Sequence, residues 1–157
     1  MINLQKLTVK DAYRLDYEDP IILGFDDEFI QVIENFAQHA DLRGVFVVDE
    51  EFHFSGVITR TDLLDWARVK LGVALLMPLT DSDKTIRMST LVNATTVGDI
   101  LRQETNNVAV FANDSLAHAL RIMVEADLII LPVINESRHI IGNLSLSELL
   151  NRVLKKS

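Results

Sequence analysis

The sequence predicts an α/β protein of the α+β type, built as two tandem β-α-β-β-α repeats. Three observations carry this reading. First, one pattern occurs twice, as Gly56-Val-Ile-Thr-Arg-Thr-Asp-Leu-Leu64 and Gly142-Asn-Leu-Ser-Leu-Ser-Glu-Leu-Leu150. Each runs from a Gly through an apolar strand end to a Ser/Thr, two further residues, a carboxylate and a Leu pair, which is a strand feeding a capped helix. Second, the match extends outward: Val47-Val48-Asp49 lies over Val133-Ile134-Asn135, His53 over His139, Asp27 over Asp114, and Thr8-Val9-Lys10-Asp11 over Thr96-Val97-Gly98-Asp99. Third, the register between copies drifts only from 88 to 86 residues, so the length changes are single residues placed in loops. A period of this size is a duplicated small domain rather than a solenoid unit.

The elements follow in the same order in each copy. A short Thr-capped helical turn comes first (Val9–Leu15; Val97–Arg102), then a short apolar strand (Ile21–Leu23; Val108–Phe111). The next segment is an amphipathic helix. Phe29, Val32, Ile33, Phe36 and Ala37 recur at helical spacing, and Leu116, Ala119, Leu120, Met123 and Val124 repeat that spacing. Two strands follow (Gly44–Val48 and Phe54–Thr59; Ile129–Ile134 and Ile140–Leu144), separated by the turns Asp49-Glu50-Glu51 and Asn135-Glu136-Ser137. Their unbroken apolar runs predict sheets covered on at least one face. A last helix closes each copy (Thr61–Lys70; Ser147–Leu154). Thr61 or Ser147 is the expected cap, and Asp62 or Glu148 lies in the first turn beside the positive end of the dipole. The copies divide the chain into 1–71, a linker at 72–95, and 96–157. In the linker, Leu75, Leu76 and Met77 either continue the preceding helix, cover a sheet edge, or form a dimer contact.

Composition narrows the function. The chain has 157 residues, 48% of them hydrophobic, and a formal net charge of −8. Repeats of about 60 residues have thin cores alone, so the two are expected to pack into one module. No Lys/Arg cluster supports the counter-ion release that nucleic-acid binding needs. There is no cysteine, which excludes disulfides, thiolate catalysis and Cys-ligated zinc. Met1-Ile-Asn-Leu-Gln-Lys6 lacks the pattern of a secretory signal, and no apolar run approaches the ~20 residues of a spanning helix, so a cytoplasmic protein without membrane contact is expected. Neither a nucleophile–base set nor a Gly-rich phosphate loop is present, and an enzyme is not expected. His39 and His118 have no ligand at helical spacing, and Asp26-Asp27-Glu28 reads as a helix start, so no metal site is expected. His53 and His139 occupy matched turns, as solvated residues or lining a shared surface. Trp66, four residues beyond Asp62 on one helix face, is a packing or dimer-surface residue.

The duplicated order and motifs resemble the cystathionine-β-synthase (CBS) domain pair, the Bateman module. Leu131-Pro132-Val133-Ile134-Asn135 is similar to the family's Leu-Pro-Val-Val-Asp strand, where the first copy has Gly44-Val45-Phe46-Val47-Val48-Asp49. Gly56-Val57-Ile58-Thr59-Arg60-Thr61-Asp62 matches the family's Gly-h-h-Ser/Thr-x-x-Asp throughout, while the second copy has Ser145 but Glu148 for Asp. The resemblance implies two repeats about a pseudo-twofold axis, with a regulatory ligand in the central cleft: AMP, ADP, ATP or S-adenosylmethionine. Carried over by residue, the better-matched site would use Thr59 and Asp62, with Arg60 screening phosphate and an adenine floor of Asn107, Val108, Ala109, Leu128, Ile129 and Ile130. A second, weaker site would use Ser145 and Glu148 with Ile21, Ile22, Leu42 and Arg43. The expected function is a non-catalytic sensor, homodimeric, with no obligatory cofactor and no metal, signalling to an unknown effector protein in trans. The alternative is a structural dimerisation module with vestigial pockets.

Overall fold

The computed structural model describes residues 4–13, 20–70, 91 and 93–155. The expected contact at Leu75–Met77 lies outside these residues. A 3-10 turn over Val9–Asp11 opens the chain, followed by β1 (Ile22–Gly24), α1 (Ile30–Gln38), β2 (Val45–Val48), β3 (Phe54–Ile58) and α2 (Arg60–Lys70). The second repeat has α3 (Val97–Ile100), a 3-10 turn over Gln103–Asn107, β4 (Val110–Phe111), α4 (Leu116–Ala126), β5 (Ile130–Ile134), β6 (Ile140–Ser145) and α5 (Leu146–Leu154). No described helix is long and apolar enough to cross a membrane.

Each repeat forms one three-stranded sheet, β1-β2-β3 and β4-β5-β6, with its first pair parallel and its second antiparallel. The copies agree in their irregularities as well. A register shift falls at Val47/Val48 and again at Val133/Ile134, and the turn residues Phe52 and Arg138 both have φ of 64°. In both copies an aspartate closes the turn after the first strand: Gly24 N–H donates to Asp27 at 2.7 Å, and Phe111 N–H to Asp114 at 2.8 Å.

Three expectations needed adjustment. A Thr-x-x-Asp capping box opens each opening turn (Thr8/Asp11 and Thr96/Asp99), but the turns end sooner than the predicted Val9–Leu15 and Val97–Arg102, at Asp11 and at Ile100, where Leu101 is already extended. The predicted strand Val108–Phe111 pairs only at Val110 and Phe111, since Gln103–Asn107 takes the 3-10 conformation just before it. The cap of α5 is Ser145, not Ser147, because the residue leaving the strand is the one with extended backbone (φ −92°, ψ 156°).

The repeats are cross-connected. The opening turn of the first lies on the second: Val9 N–H donates to Asp114 O at 2.8 Å, Lys10 N–H to Ala112 O at 2.9 Å, and Leu116 N–H to Leu7 O at 2.8 Å. The reciprocal contacts are Val97 N–H to Asp27 O and Gly98 N–H to Phe25 O, both at 2.8 Å. Gly98 has no Cβ because the Phe25 ring lies against it. The cores merge accordingly. One cluster joins Val9, Phe46, Phe54 and Val57 to Leu131, Val133, Leu144 and Leu149. Another holds Val32, Phe36, Val45, Ile58, Val97 and Ile100, with Trp66 at its margin. Trp66 contacts the Phe29 ring at 5.1 Å between centroids.

Candidate functional site

Both repeated motifs close on themselves at the strand-to-helix junction, the second as a full capping box and the first through the Asp62 carboxylate and the Thr59 backbone. At β6–α5, the Ser145 hydroxyl accepts from Glu148 N–H at 3.1 Å, and Ser145 N–H donates to Glu148 Oε1 at 3.0 Å. At β3–α2, Thr59 N–H donates to Asp62 Oδ2 at 2.9 Å and Asp62 N–H donates to Thr59 O at 3.1 Å. The spacing that the sequence presents as a ligand motif therefore also satisfies the orphan donors of two helix starts.

The surroundings of the two carboxylates differ. Asp62 is 0% exposed, and its Oδ1 meets Arg102 Nε at 3.0 Å. That contact lacks hydrogen-bond alignment, so it is an ion pair. The Leu101–Asn107 segment crosses β3 at this point. Thr105 Oγ1 accepts from Val57 N–H at 3.1 Å, and a Cβ on Gly56 would stand 2.6 Å from both Leu101 and Thr105 side chains. Arg60 turns away from the motif and donates to the carbonyls of Phe36, His39 and Ala40 at 3.3, 3.1 and 3.1 Å, closing the C-terminus of α1. Of the expected adenine floor, Val108 and Leu128 are core residues, 4% and 3% exposed, whereas Ile129 is 48% exposed. Asn107 is exposed and Ala109 half-buried.

The Ser145–Glu148 motif opens onto a cleft of about 690 Å³ between the repeats. Ile21, Leu42 and Arg43 reach it from the first repeat, and Ile130, Ser145 and Glu148 from the second. Ile22 is not among the lining residues, and Ile130, assigned by sequence to the other floor, is. The alternation of β6 brings Asn143 to the same face as Ser145. That two-residue spacing would have allowed Asn143 to be read from the sequence. Asn35 comes from α1 and His39 from its C-cap, with no signal beyond their place near the helix end. Arg102 was also missed, though the repeat register sets it over Arg14, a cation at a matched position.

The two matched histidines meet. The rings of His53 and His139 stack at 5.5 Å between centroids with 16° between planes. His53 Nδ1 also lies 3.5 Å from Asp49 and from Glu51. The His53 backbone N–H holds the Asp49 carboxyl below its ordinary range, and backbone N–H donors from Thr8 and from Thr95 and Thr96 do the same for Asp11 and Asp99. Among the described residues no group of three or more His, Asp or Glu side chains could hold a metal ion.

The family model for the CBS domain matches residues 9–68 and 97–155. The chain therefore belongs to the CBS domain family, as a tandem pair. No match to a curated protein sequence was found. Among solved structures, a CBS domain-containing protein from Thermotoga maritima is 21% identical with a TM-score of 0.74, the match covering 96% of each chain. CBSX2, solved in complex with AMP, is 19% identical with a TM-score of 0.72, covering 96% of this chain and 99% of that one. The CBS domain pair of protein MJ0100, in complex with 5′-methylthioadenosine and S-adenosyl-L-methionine, is 16% identical with a TM-score of 0.64, covering 96% and 98%. At these identities the likeness concerns the fold.

Proposed function

We propose that this chain is a non-catalytic regulatory module that binds an adenosine-containing ligand in the cleft between its two repeats and signals to a partner protein in trans. The observation that carries the reading is the cleft, about 690 Å³ and lined from both repeats. Small-molecule sites have this size, with apolar walls and a few convergent polar groups. Ile21, Leu42 and Ile130 supply flat apolar surface for a purine, and Glu148 and Ser145 supply a carboxylate and a hydroxyl at a helix N-terminus for the ribose and its substituent. A ligand touching both repeats favours one mutual arrangement of them, and that difference is what a partner can read. The complexes of the structural neighbours with AMP, 5′-methylthioadenosine and S-adenosyl-L-methionine support the ligand class. In this reading Glu148 takes the ribose, while Asp62, sealed against Arg102, serves the fold.

The test is a melting-temperature shift with AMP, ADP, ATP and S-adenosylmethionine. At ~100 Kd, linkage adds about 2.7 kcal/mol, roughly 5–11 °C for a chain of 157 residues. Guanine nucleotides should shift it less, and Glu148→Ala should weaken the effective ligand about tenfold. No shift with any of the four at millimolar concentration would leave the dimerisation-module reading in place. We also propose a homodimer, which light scattering tests: a mass of 17.7 kDa at tens of micromolar would overturn it.

A further inference from the structure

Each other arginine with a described side-chain partner is held by a carbonyl, a carboxylate or a ring nitrogen. Arg60 serves the α1 carbonyls, Arg68 pairs with Asp65, and Arg102 with Asp62. Arg121 meets His118, Arg138 donates to Phe54 and Asn106 carbonyls, and Arg152 to the Asp11 carbonyl. Arg43 differs. Its partner among the described residues is a neutral hydroxyl: Nη1 donates to Ser147 Oγ at 3.0 Å, from one repeat to the other. Ser147 Oγ in turn lies 3.1 Å from Ser145 Oγ. The guanidinium thus stands in the cleft, beside the first turn of the nine-residue helix α5, with no described carboxylate paired to it. The repeat register puts the apolar Ile129 at the matched position of the other copy, so the charge belongs to one face of the module alone.

We infer that Arg43 is the specificity-determining residue of this cleft, selecting an adenosine ligand with an anionic 5′ group over neutral or sulfonium-bearing ones. The inference rests on the adenosine reading above and adds the charge of the ligand. A guanidinium offers a phosphate two parallel donors, and the positive end of α5 adds to the same field. The Ser145 hydroxyl, which lines the cleft, and the Ser147 hydroxyl 3.1 Å from it complete the donor set. Glu148 and Asp41 also line the cleft, but the Glu148 carboxylate accepts from Ser145 N–H at 3.0 Å and Asp41 makes no described contact with Arg43. A phosphate would exchange the Arg43–Ser147 hydroxyl contact for a charge-assisted one, at an exposed position where solvent moderates the gain.

The experiment is calorimetric titration of the full chain with AMP, adenosine, 5′-methylthioadenosine and S-adenosylmethionine. AMP should bind about tenfold tighter than adenosine or 5′-methylthioadenosine, the lower end for a charge-assisted contact, and that margin should shrink as salt rises. In Arg43→Met the AMP-to-adenosine affinity ratio should fall to about one, and in Arg43→Glu it should invert. Arg43→Lys, which keeps the charge, should retain part of the margin. Melting curves check that the variants are folded, which the exposed position of Arg43 leads us to expect, since no core packing is removed. Adenosine, 5′-methylthioadenosine or S-adenosylmethionine binding as tightly as AMP, or an unchanged ratio in Arg43→Met, would overturn the inference while leaving the adenosine reading intact. No heat from any of the four compounds would overturn both.

Discussion

Asp62→Ala separates a carboxylate that holds the fold from one that holds a ligand. In the folded chain Asp62 is 0% exposed, accepts Thr59 N–H at 2.9 Å and faces Arg102 Nε at 3.0 Å. Removing one partner of a buried ion pair costs about 3–5 kcal/mol when the other charge is left stranded. The Arg102 side chain is 28% exposed and regains some water, which places the pair toward the low end. Loss of the capping contact adds about 1 kcal/mol, partly shared with the first loss. The expected cost is about 3 kcal/mol, or roughly 6–12 °C in Tm for a chain of 157 residues. Urea denaturation and calorimetry measure it, and Asp62→Ala/Arg102→Ala in a double-mutant cycle should recover about 1–3 kcal/mol of coupling. Ligand affinity of the folded fraction should change by less than about threefold, against about tenfold for Glu148→Ala. A Tm within about 2 °C of the parent, together with lost adenosine binding, would refute the reasoning and make Asp62 a ribose ligand.

Two further outcomes follow from the same geometry. Gly56→Ala places a methyl 2.6 Å from both Leu101 and Thr105, so the Leu101–Asn107 segment must shift; a loss of about 1–3 kcal/mol is expected in urea denaturation, and an unchanged midpoint would mean that this segment yields freely. The carboxyls of Asp11, Asp49 and Asp99 lie below their ordinary 3.8 in the folded state, chiefly through backbone N–H donors. Their contribution is present above about pH 4 and is lost as pH falls through the depressed values, because the unfolded chain then binds more protons. Stability followed by urea midpoint should therefore drop below about pH 4, and Asp99→Asn should flatten that drop; an equal drop in the variant would remove Asp99 from the account.

The duplication, the element order and the capping chemistry are legible in the chain alone, because these are local. The periodicity of Phe29, Val32, Ile33 and Phe36 specifies a helix face, and Thr-x-x-Asp and Ser-x-x-Glu specify helix starts, within a few residues of chain. The motif match also brought Ser145, Glu148, Ile21, Leu42 and Arg43 onto one list, and all five line the cleft. What a motif cannot carry is the identity of whatever lies opposite it. Whether a first-turn carboxylate faces a cleft or a cation depends on a segment roughly forty residues away in sequence, as Arg102 is from Asp62. The crossing of the opening turns, Val9 onto Asp114 and Val97 onto Asp27, is likewise invisible to periodicity, since each turn satisfies its own capping box whichever repeat it packs on. These features are settled in three dimensions, because burial and pairing are set by long-range contacts whose partners share no local pattern.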